Sequence, residues 1–301
     1  MSKKTKNKPE VEKEYKKPLI KRRKANRSIA GDIALYVFLI LVAYIMAFPI
    51  IFAVSNSLKP LDELFRFPPK IFAQHPTTDN FADLFVNMGK STVTFSRYLF
   101  NTIFITFVGT AGHLICASMA AFVLAKYDFP GGQGFFKLAT TALMFTGYAT
   151  QIPSYILLNK LGWIDSYWAI IIPAFASPMG LFLMKQFMEG LPTSLIEAAK
   201  IDGATEWKVF SGIVMPNVKP AWLTLIIFSV QGLWNNPATT YIYSEEKKTL
   251  VYALNQIQAG GIARTGQSAA VMVVVMVVPI IIFVFSESQI LETMASSGLK
   301  D

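Results

Sequence analysis

The sequence predicts an all-α integral membrane protein with six transmembrane helices and a polar helical loop between the fourth and fifth. Three observations predict it. Of 301 residues, 53% are hydrophobic and only 16% are charged, a balance far more apolar than that of a soluble globular chain. The apolar residues fall into six stretches, each long enough to cross a hydrocarbon core of about 30 Å at about 1.5 Å per residue. Between two of them, residues 195–216 read as two short polar helices with a bend at Gly203.

Residues 1–30 carry twelve Lys or Arg against three Glu. Such a run could bind nucleic acid, but beside a membrane span it reads as a solvated tail that fixes topology, so no nucleic-acid partner is expected. The first span, 31–57, is longer than the apolar region of a cleaved signal, roughly 7 to 15 residues, and is read as a retained anchor. Residues 58–94, with Pro60, Pro68, Pro69 and Pro76, are too polar to span and read as an outer-face loop. The second and third spans, 97–124 and 135–158, are joined by a turn whose Pro130, Gly131, Gly132 and Gly134 break any helix. The fourth span is 167–188, the fifth 219–243 and the sixth 267–285, with a polar stretch at 244–266 between the last two. This divides the chain into a basic tail, 1–30, a transmembrane domain, 31–290, containing the polar loop 190–218, and a short second tail, 291–301.

Charge sets the orientation. The head, the 126–137 turn, the polar loop, the tail and the span ends beside them hold 19 of the 28 Lys and Arg. The positive-inside rule therefore puts both termini and the polar loop in the cytoplasm.

Within the spans the only deep ionisable group is His113, since Asp32, Arg97, Lys137, Lys185 and Glu287 lie at ends where they can snorkel. Ion-driven carriers need buried carboxylates or relays. None is present, so the energy source lies elsewhere, and His113 is expected to be neutral and hydrogen-bonded across helices. Gly89-Lys90-Ser91 suggests a phosphate loop, but that motif needs a glycine where Leu84 stands. The single cysteine, Cys116, precludes an internal disulfide or cysteine metal site. His75 and His113 fall in different compartments and no paired carboxylates face each other, so neither a metal site nor an enzyme constellation is expected.

In the polar loop, Ser194 and Glu197 form a capping-box pattern, Gly203 ends the first helix, Thr205 caps the second, and Pro216 closes it. Trp207, Phe210 and Ile213 recur at intervals of three, an apolar ridge for some other surface. Glu197-Ala198-Ala199, three residues, Gly203, nine residues, Ile213, one residue, then Met215-Pro216 resembles the EAA loop of binding-protein-dependent ABC importer permeases. The family usually has Leu before that proline, and Met215 is a conservative departure. The resemblance covers the transmembrane part of the chain, is strongest from about Tyr98 onward, and is most similar to the sugar-importing branch.

The resemblance implies that the loop is a cytoplasmic coupling helix seated in a groove of a partner ATPase. Glu197 would be a polar contact, Ala198 and Ala199 would let backbones approach, Asp202 would flank the turn, and Gly203 would permit the bend, with Trp207 and Pro216 completing the same element. The plainer alternative is that Glu197 caps its own helix and Gly203 only turns. The resemblance further implies two ATPase copies, a second and different permease subunit, and an extracellular or periplasmic solute-binding protein. ATP and Mg would sit on the ATPase, and no cofactor on this chain, which would work by alternating access in the cytoplasmic membrane.

Trp234-Asn235 with Pro237 nearby is similar to an element in the fifth span of sugar permeases. Indole faces pack on sugar C–H faces and amides bond hydroxyls, so Trp234, Asn235 and Asn236 become candidates for the substrate path. Asn101 and Gln151, the latter followed by Pro153, which is expected to break its helix, are further candidates. The alternatives are an interfacial aromatic belt for Trp234 and helix-to-helix glue for the amides. The expected function is a sugar importer permease, for oligosaccharides; importers of phosphate, peptides or amino acids share the EAA loop, and an ion-coupled carrier is the remaining alternative.

Overall fold

The computed structural model describes residues 29–87, 93–261 and 264–297, and every regular element in them is helical. Most of the basic head, Gly89-Lys90-Ser91 and residues 298–301 lie outside the described residues. The chain forms two compact units, 1–49 and 50–301. In the first, α1 (Ile29–Ser57) begins and runs to Pro49 with apolar side chains such as Tyr36, Phe38, Ile40 and Met46 exposed, a helix apolar all round that suits lipid.

The second unit takes in the end of α1, followed by α2 (Leu61–Leu64) and α3 (Asp79–Asn87). Its axis is α4 (Phe95–Lys126). Tyr98, Asn101, Thr102, Ile105, Gly109, His113, Ala117 and Ala121 of α4 are buried at three- and four-residue spacing, the stripe an α-helix shows when one face is packed. Against it lie α7 (Trp168–Phe175), α8 (Pro178–Glu189) and α12 (Lys219–Trp234), and α14 (Thr265–Ser297) packs on α12. Phe95 and Tyr98 sit in one apolar cluster, Ile105 in a second, and Ala117, Ala121 and Phe122 in a third.

Small residues set how closely the helices approach, as they do where lipid leaves no hydrophobic force between spans. A Cβ on Gly109 would lie 2.5 Å from Leu233 Cδ1, one on Gly112 would lie 2.1 Å from the Phe175 ring, and one on Gly180 would lie 2.1 Å from His113 Nε2. As expected, His113 bridges spans: its Nδ1 lies 2.5 Å from Ser229 Oγ on α12.

Length and composition single out fewer spans than the expected six. Among the described residues, four segments are long and apolar enough to cross a membrane: Ala30–Ser57, Phe95–Lys126, Trp168–Glu189 and Thr265–Glu287. A fifth exists if Glu206–Asn217 and Lys219–Trp234, which meet at 81°, count as one. The expected third span is split into α5 (Gly132–Ala142) and α6 (Gly147–Lys160). The hydroxyls of Thr140 and Thr141 turn back on the carbonyls of Phe136 and Lys137, and Thr146 stands outside α6 as its N-cap, so weak helix formers surround the break. Pro153 does not break α6, which runs through it, a tolerance common in apolar helices with neighbours. The fifth helix stops at Trp234 rather than 243, because Asn235, Asn236 and Pro237 favour a turn. The stretch expected to be merely polar holds α13 (Leu250–Ala259), with Leu250, Ala253 and Ile257 buried.

Gly180→Val should therefore lower stability by about 1–3 kcal/mol through overpacking. Gly232→Ala, where nothing lies within 4 Å of the added Cβ, should hold or raise it. Melting of the purified protein in detergent distinguishes the two.

Candidate functional site

The polar loop folds as an elbow. Its first arm, α9 (Thr193–Ile201), ends in a motif in which Ala204 N–H donates to Ala199 O at 2.9 Å and Gly203 N–H to Lys200 O at 3.0 Å. Gly203 takes φ +79° there, the left-handed conformation that this C-terminal motif needs and glycine adopts without strain. Thr205 caps the second arm, α10 (Glu206–Val209), by accepting from Lys208 N–H at 3.4 Å. The chain then widens into a π-helical turn, Phe210–Val214, continues through α11 (Met215–Asn217), and breaks at Val218 before α12.

Two expectations need correction. Ser194 is not a cap: Pro192, with φ −59°, leads directly into the helix, so Ser194 lies inside its first turn. Pro216 does not stop the second arm, since the π-turn absorbs it and the bend falls two residues later. The bend's carbonyls are satisfied locally, Ile213 O by Asn217 Nδ2 at 2.7 Å and Met215 O by Trp222 Nε1 at 3.1 Å.

The elbow has two faces. Ile196, Ala199, Val209, Phe210 and Val214 enter the same apolar cluster as Ala121 and Phe122 of α4 and Met184 and Met188 of α8. The outer face exposes Glu197, Ala198, Asp202, Gly203, Trp207 and Pro216. Ala199 thus faces its own core and Ala198 faces outward. The expected apolar ridge is divided: Trp207 is 63% exposed, while Phe210 is buried and Ile213 packs inward. Neither Glu197 nor Asp202 makes a side-chain hydrogen bond or ion pair among the described residues, so Glu197 is not spent on a cap. Ile201, 86% exposed at the tip, and Leu195 extend the outer face; sequence reasoning missed both, although an apolar residue beside a polar turn was a readable signal.

A latch joins the arms. Lys200 Nζ lies 2.7 Å from Glu206 Oε1 and donates to Tyr127 OH at 3.2 Å, and Tyr127 OH donates to the other Glu206 oxygen. The Glu206 carboxylate and the Tyr127 hydroxyl hold the Lys200 ammonium above its usual range, and the same ammonium holds Glu206 below the usual carboxylate range. Burial, with the adjoining carboxylate, pushes Tyr127 up. Tyr127 follows the last residue of α4, so the latch also fastens the elbow to the axis helix.

The candidates for the substrate path do not converge on one point. Asn101 is fully buried, donating to Glu246 O and Lys248 O at 2.8 Å and accepting from Tyr167 OH at 2.8 Å. Trp234 is buried and donates its indole N–H to Val275 O of α14 at 2.8 Å, a core position rather than an interfacial belt. Asn235 is exposed and its amide caps its own helix through Gln231 O. Asn236 Oδ1 accepts from Ala238 N–H at 2.8 Å, an Asx turn that supports Ala238 at φ +60°. Gln151 is exposed and donates to Thr240 Oγ1 at 3.2 Å.

Sequence reasoning missed the hub at Asp165. Its carboxylate accepts from the backbone N–H of Tyr243 and Ser244, from Ser244 Oγ, and from Lys247 Nζ at 3.3 Å. Partial burial opposes the charge, but the bonds from Ser244, Tyr243 and Lys247 outweigh it and hold Asp165 well below the usual carboxylate range. Among the described residues, no cluster of three or more His, Cys, Asp or Glu could hold a metal ion.

A family model described as "Binding-protein-dependent transport system inner membrane component" matches residues 71–293. Protein LplC of Bacillus subtilis (strain 168) is 35% identical over 228 residues, 75% of each chain. From the same organism, the arabinooligosaccharides transport system permease protein AraQ is 31% identical over 278 residues, 89% of this chain and 95% of that one. The polygalacturonan/rhamnogalacturonan transport system permease protein YtcP is 32% identical over 215 residues, covering 70% and 72%. A chain of the crystal structure of a bacterial ABC transporter importing the acidic polysaccharide alginate shares the fold, with TM-score 0.74 at 22% identity over 87% of this chain and 98% of that one. With a model match over most of its length and relatives this similar, the chain belongs to the family of binding-protein-dependent transport system inner membrane components.

Proposed function

We propose that this chain is the permease subunit of an ATP-driven importer that moves an oligosaccharide inward by alternating access. The observation that carries the reading is the elbow: a left-handed glycine tip, with Glu197 and Asp202 unpaired among the described residues and set beside exposed Ile201 and Trp207, on arms rooted in the core. That is the form of a surface shaped to receive a partner and pass its displacement inward. Relatives named for arabinooligosaccharide and polygalacturonan transport favour a sugar over phosphate, peptide or amino-acid cargo.

In this reading the chain crosses the cytoplasmic membrane six times, through α1, α4, the broken pair α5–α6, the pair α7–α8, α12 and α14. Both termini and the elbow are cytoplasmic. The elbow engages one of two copies of an ATPase that binds ATP and Mg, a second and different permease provides the other half of the path, and an external solute-binding protein delivers the cargo. The chain itself hydrolyses nothing. Closure of the ATPase pair presses on Glu197, Ala198, Asp202 and Gly203, and the rooted arms carry the movement to α4, α8 and α12.

Glu197→Lys reverses the exposed charge without touching the core, and Gly203→Asp places a side chain at positive φ. Each should leave the protein in the membrane but abolish uptake and co-purification of the ATPase; normal uptake with both variants contradicts the assignment. The latch gives a pH test. Glu206, with its pKa lowered, contributes stability above the usual carboxylate range and loses it as pH falls through its folded value. Lys200, with its pKa raised, contributes below the usual lysine range and loses it as pH rises through its own. The protection of amides across 200–206, taken as the ratio of intrinsic to observed exchange rate at each pH, should therefore be high through neutral pH and fall on acidification, and Lys200→Met should remove that dependence.

A further inference from the structure

One face of α6 carries Tyr148, Gln151 and Tyr155, spaced by three and four residues and so aligned along the helix. The segment after α12 runs beside it. The Tyr155 ring stacks on Tyr241, with centroids 6.5 Å apart and planes 19° from parallel. Tyr243 OH donates to Tyr155 OH at 3.0 Å, and Gln151 Nε2 donates to Thr240 Oγ1 at 3.2 Å. Tyr148 is 90% exposed and Tyr243 is 57% exposed. The result is a wall of phenol rings with amide and hydroxyl groups set between them.

Fastening the loop does not require this wall. The 241–249 segment is already held by Asp165 through Tyr243, Ser244 and Lys247, and by Asn101 through Glu246 and Lys248. Tyr148 fastens nothing: its hydroxyl has no hydrogen-bond partner among the described residues. A lipid-facing surface is no better match, because the Tyr148 hydroxyl and the Gln151 carbonyl, which have no partner among the described residues, would be left unpaired in hydrocarbon. The lipid-suited face of α6 lies beside this one, at Ile152 and Ile156, 71% and 51% exposed. Exposed aromatic faces interleaved with amide and hydroxyl groups match a ligand whose ring has an apolar C–H face and a rim of hydroxyls.

We propose that Tyr148, Gln151, Tyr155, Thr240, Tyr241 and Tyr243 form a docking platform for an oligosaccharide. Tyr148 and Tyr155, the partner of Tyr243, stand two turns apart on α6, about 10 Å, so one sugar ring stacks on Tyr148 and another on Tyr243, and their hydroxyls bond the Gln151 carbonyl and the phenol groups. The platform rests on the oligosaccharide reading above and adds a site to it, on α6 and the loop rather than at Trp234.

The test uses the assembled importer in proteoliposomes with saturating loaded binding protein, and labelled arabinotriose or galactotriose as the probe. In the Tyr148→Ala/Tyr243→Ala double variant, sugar carried per ATP hydrolysed should fall about tenfold, the loss of two stacking faces. The Tyr→Trp pair, which keeps both faces, should restore most of it, and Ile152→Ala should transport as the parent does. A double Ala variant that transports like the parent overturns the platform. One that loses the second permease on purification overturns it too, making this surface a subunit interface. A parent importer that carries neither these sugars nor galacturonan oligosaccharides, and that transports a phosphate, peptide or amino acid instead, refutes the oligosaccharide reading itself and takes the platform with it.

Discussion

The structure depends on the burial of the elbow's inner face. Ile196, Ala199, Val209, Phe210 and Val214 are packed with α4, α8 and α12 in one apolar cluster, so the tip at Gly203 cannot travel without carrying those helices or opening the core. Truncating a single buried aromatic such as Phe210 would cost about 3–5 kcal/mol. A push on the tip therefore moves the arms as a body. The Lys200–Glu206–Tyr127 latch acts in the same direction: it closes the angle between α9 and α10 and ties both to the end of α4.

The far end of α4 is fastened with equal care by different chemistry. Asn101 holds Glu246 and Lys248 carbonyls, Thr102 Oγ1 accepts from Leu250 N–H at 2.8 Å, and Tyr98 OH bonds Glu245. The loop beyond α12 is thereby fixed to one end of α4 while the elbow is fixed to the other. Between them the glycines at 109, 112 and 180 keep the neighbouring helices in close contact. In the proposed function, a rod with a receiving arm at one end and a polar aromatic loop at the other suits alternating access, because work delivered at one end would change access at the other.

The helical membrane class was readable from apolar run length, and the elbow from Gly203 followed by Thr205, which end one arm and cap the next. Gly203 was legible because positive φ leaves few other residues. The errors have a common source. Ser194 and Pro216 were judged by local rules, and the chain met both with neighbours: Pro192 supplied the helix start and a π-turn absorbed the later proline. Asn101 and Trp234 read as sugar contacts because amides and indoles suit sugars, but the same groups satisfy buried backbone carbonyls, and that use depends on long-range partners at Glu246, Lys248 and Val275. Asp165 was invisible for the same reason, its partners lying some eighty residues away in sequence. The split of α5 from α6 turns on threonine hydroxyls competing with the backbone, which a hydropathy window averages away.

The most direct test is the sidedness and shielding of the elbow. With Cys116 replaced by Ser, Ala198→Cys offers a single thiol on the outer face, and a membrane-impermeant maleimide can be applied to right-side-out and inverted vesicles. Labelling should occur only in inverted vesicles, and it should be lost once the ATPase is assembled on the permease. Labelling from the exterior, or labelling from the cytoplasmic side that the assembled ATPase leaves unchanged, would contradict the proposed role of the elbow.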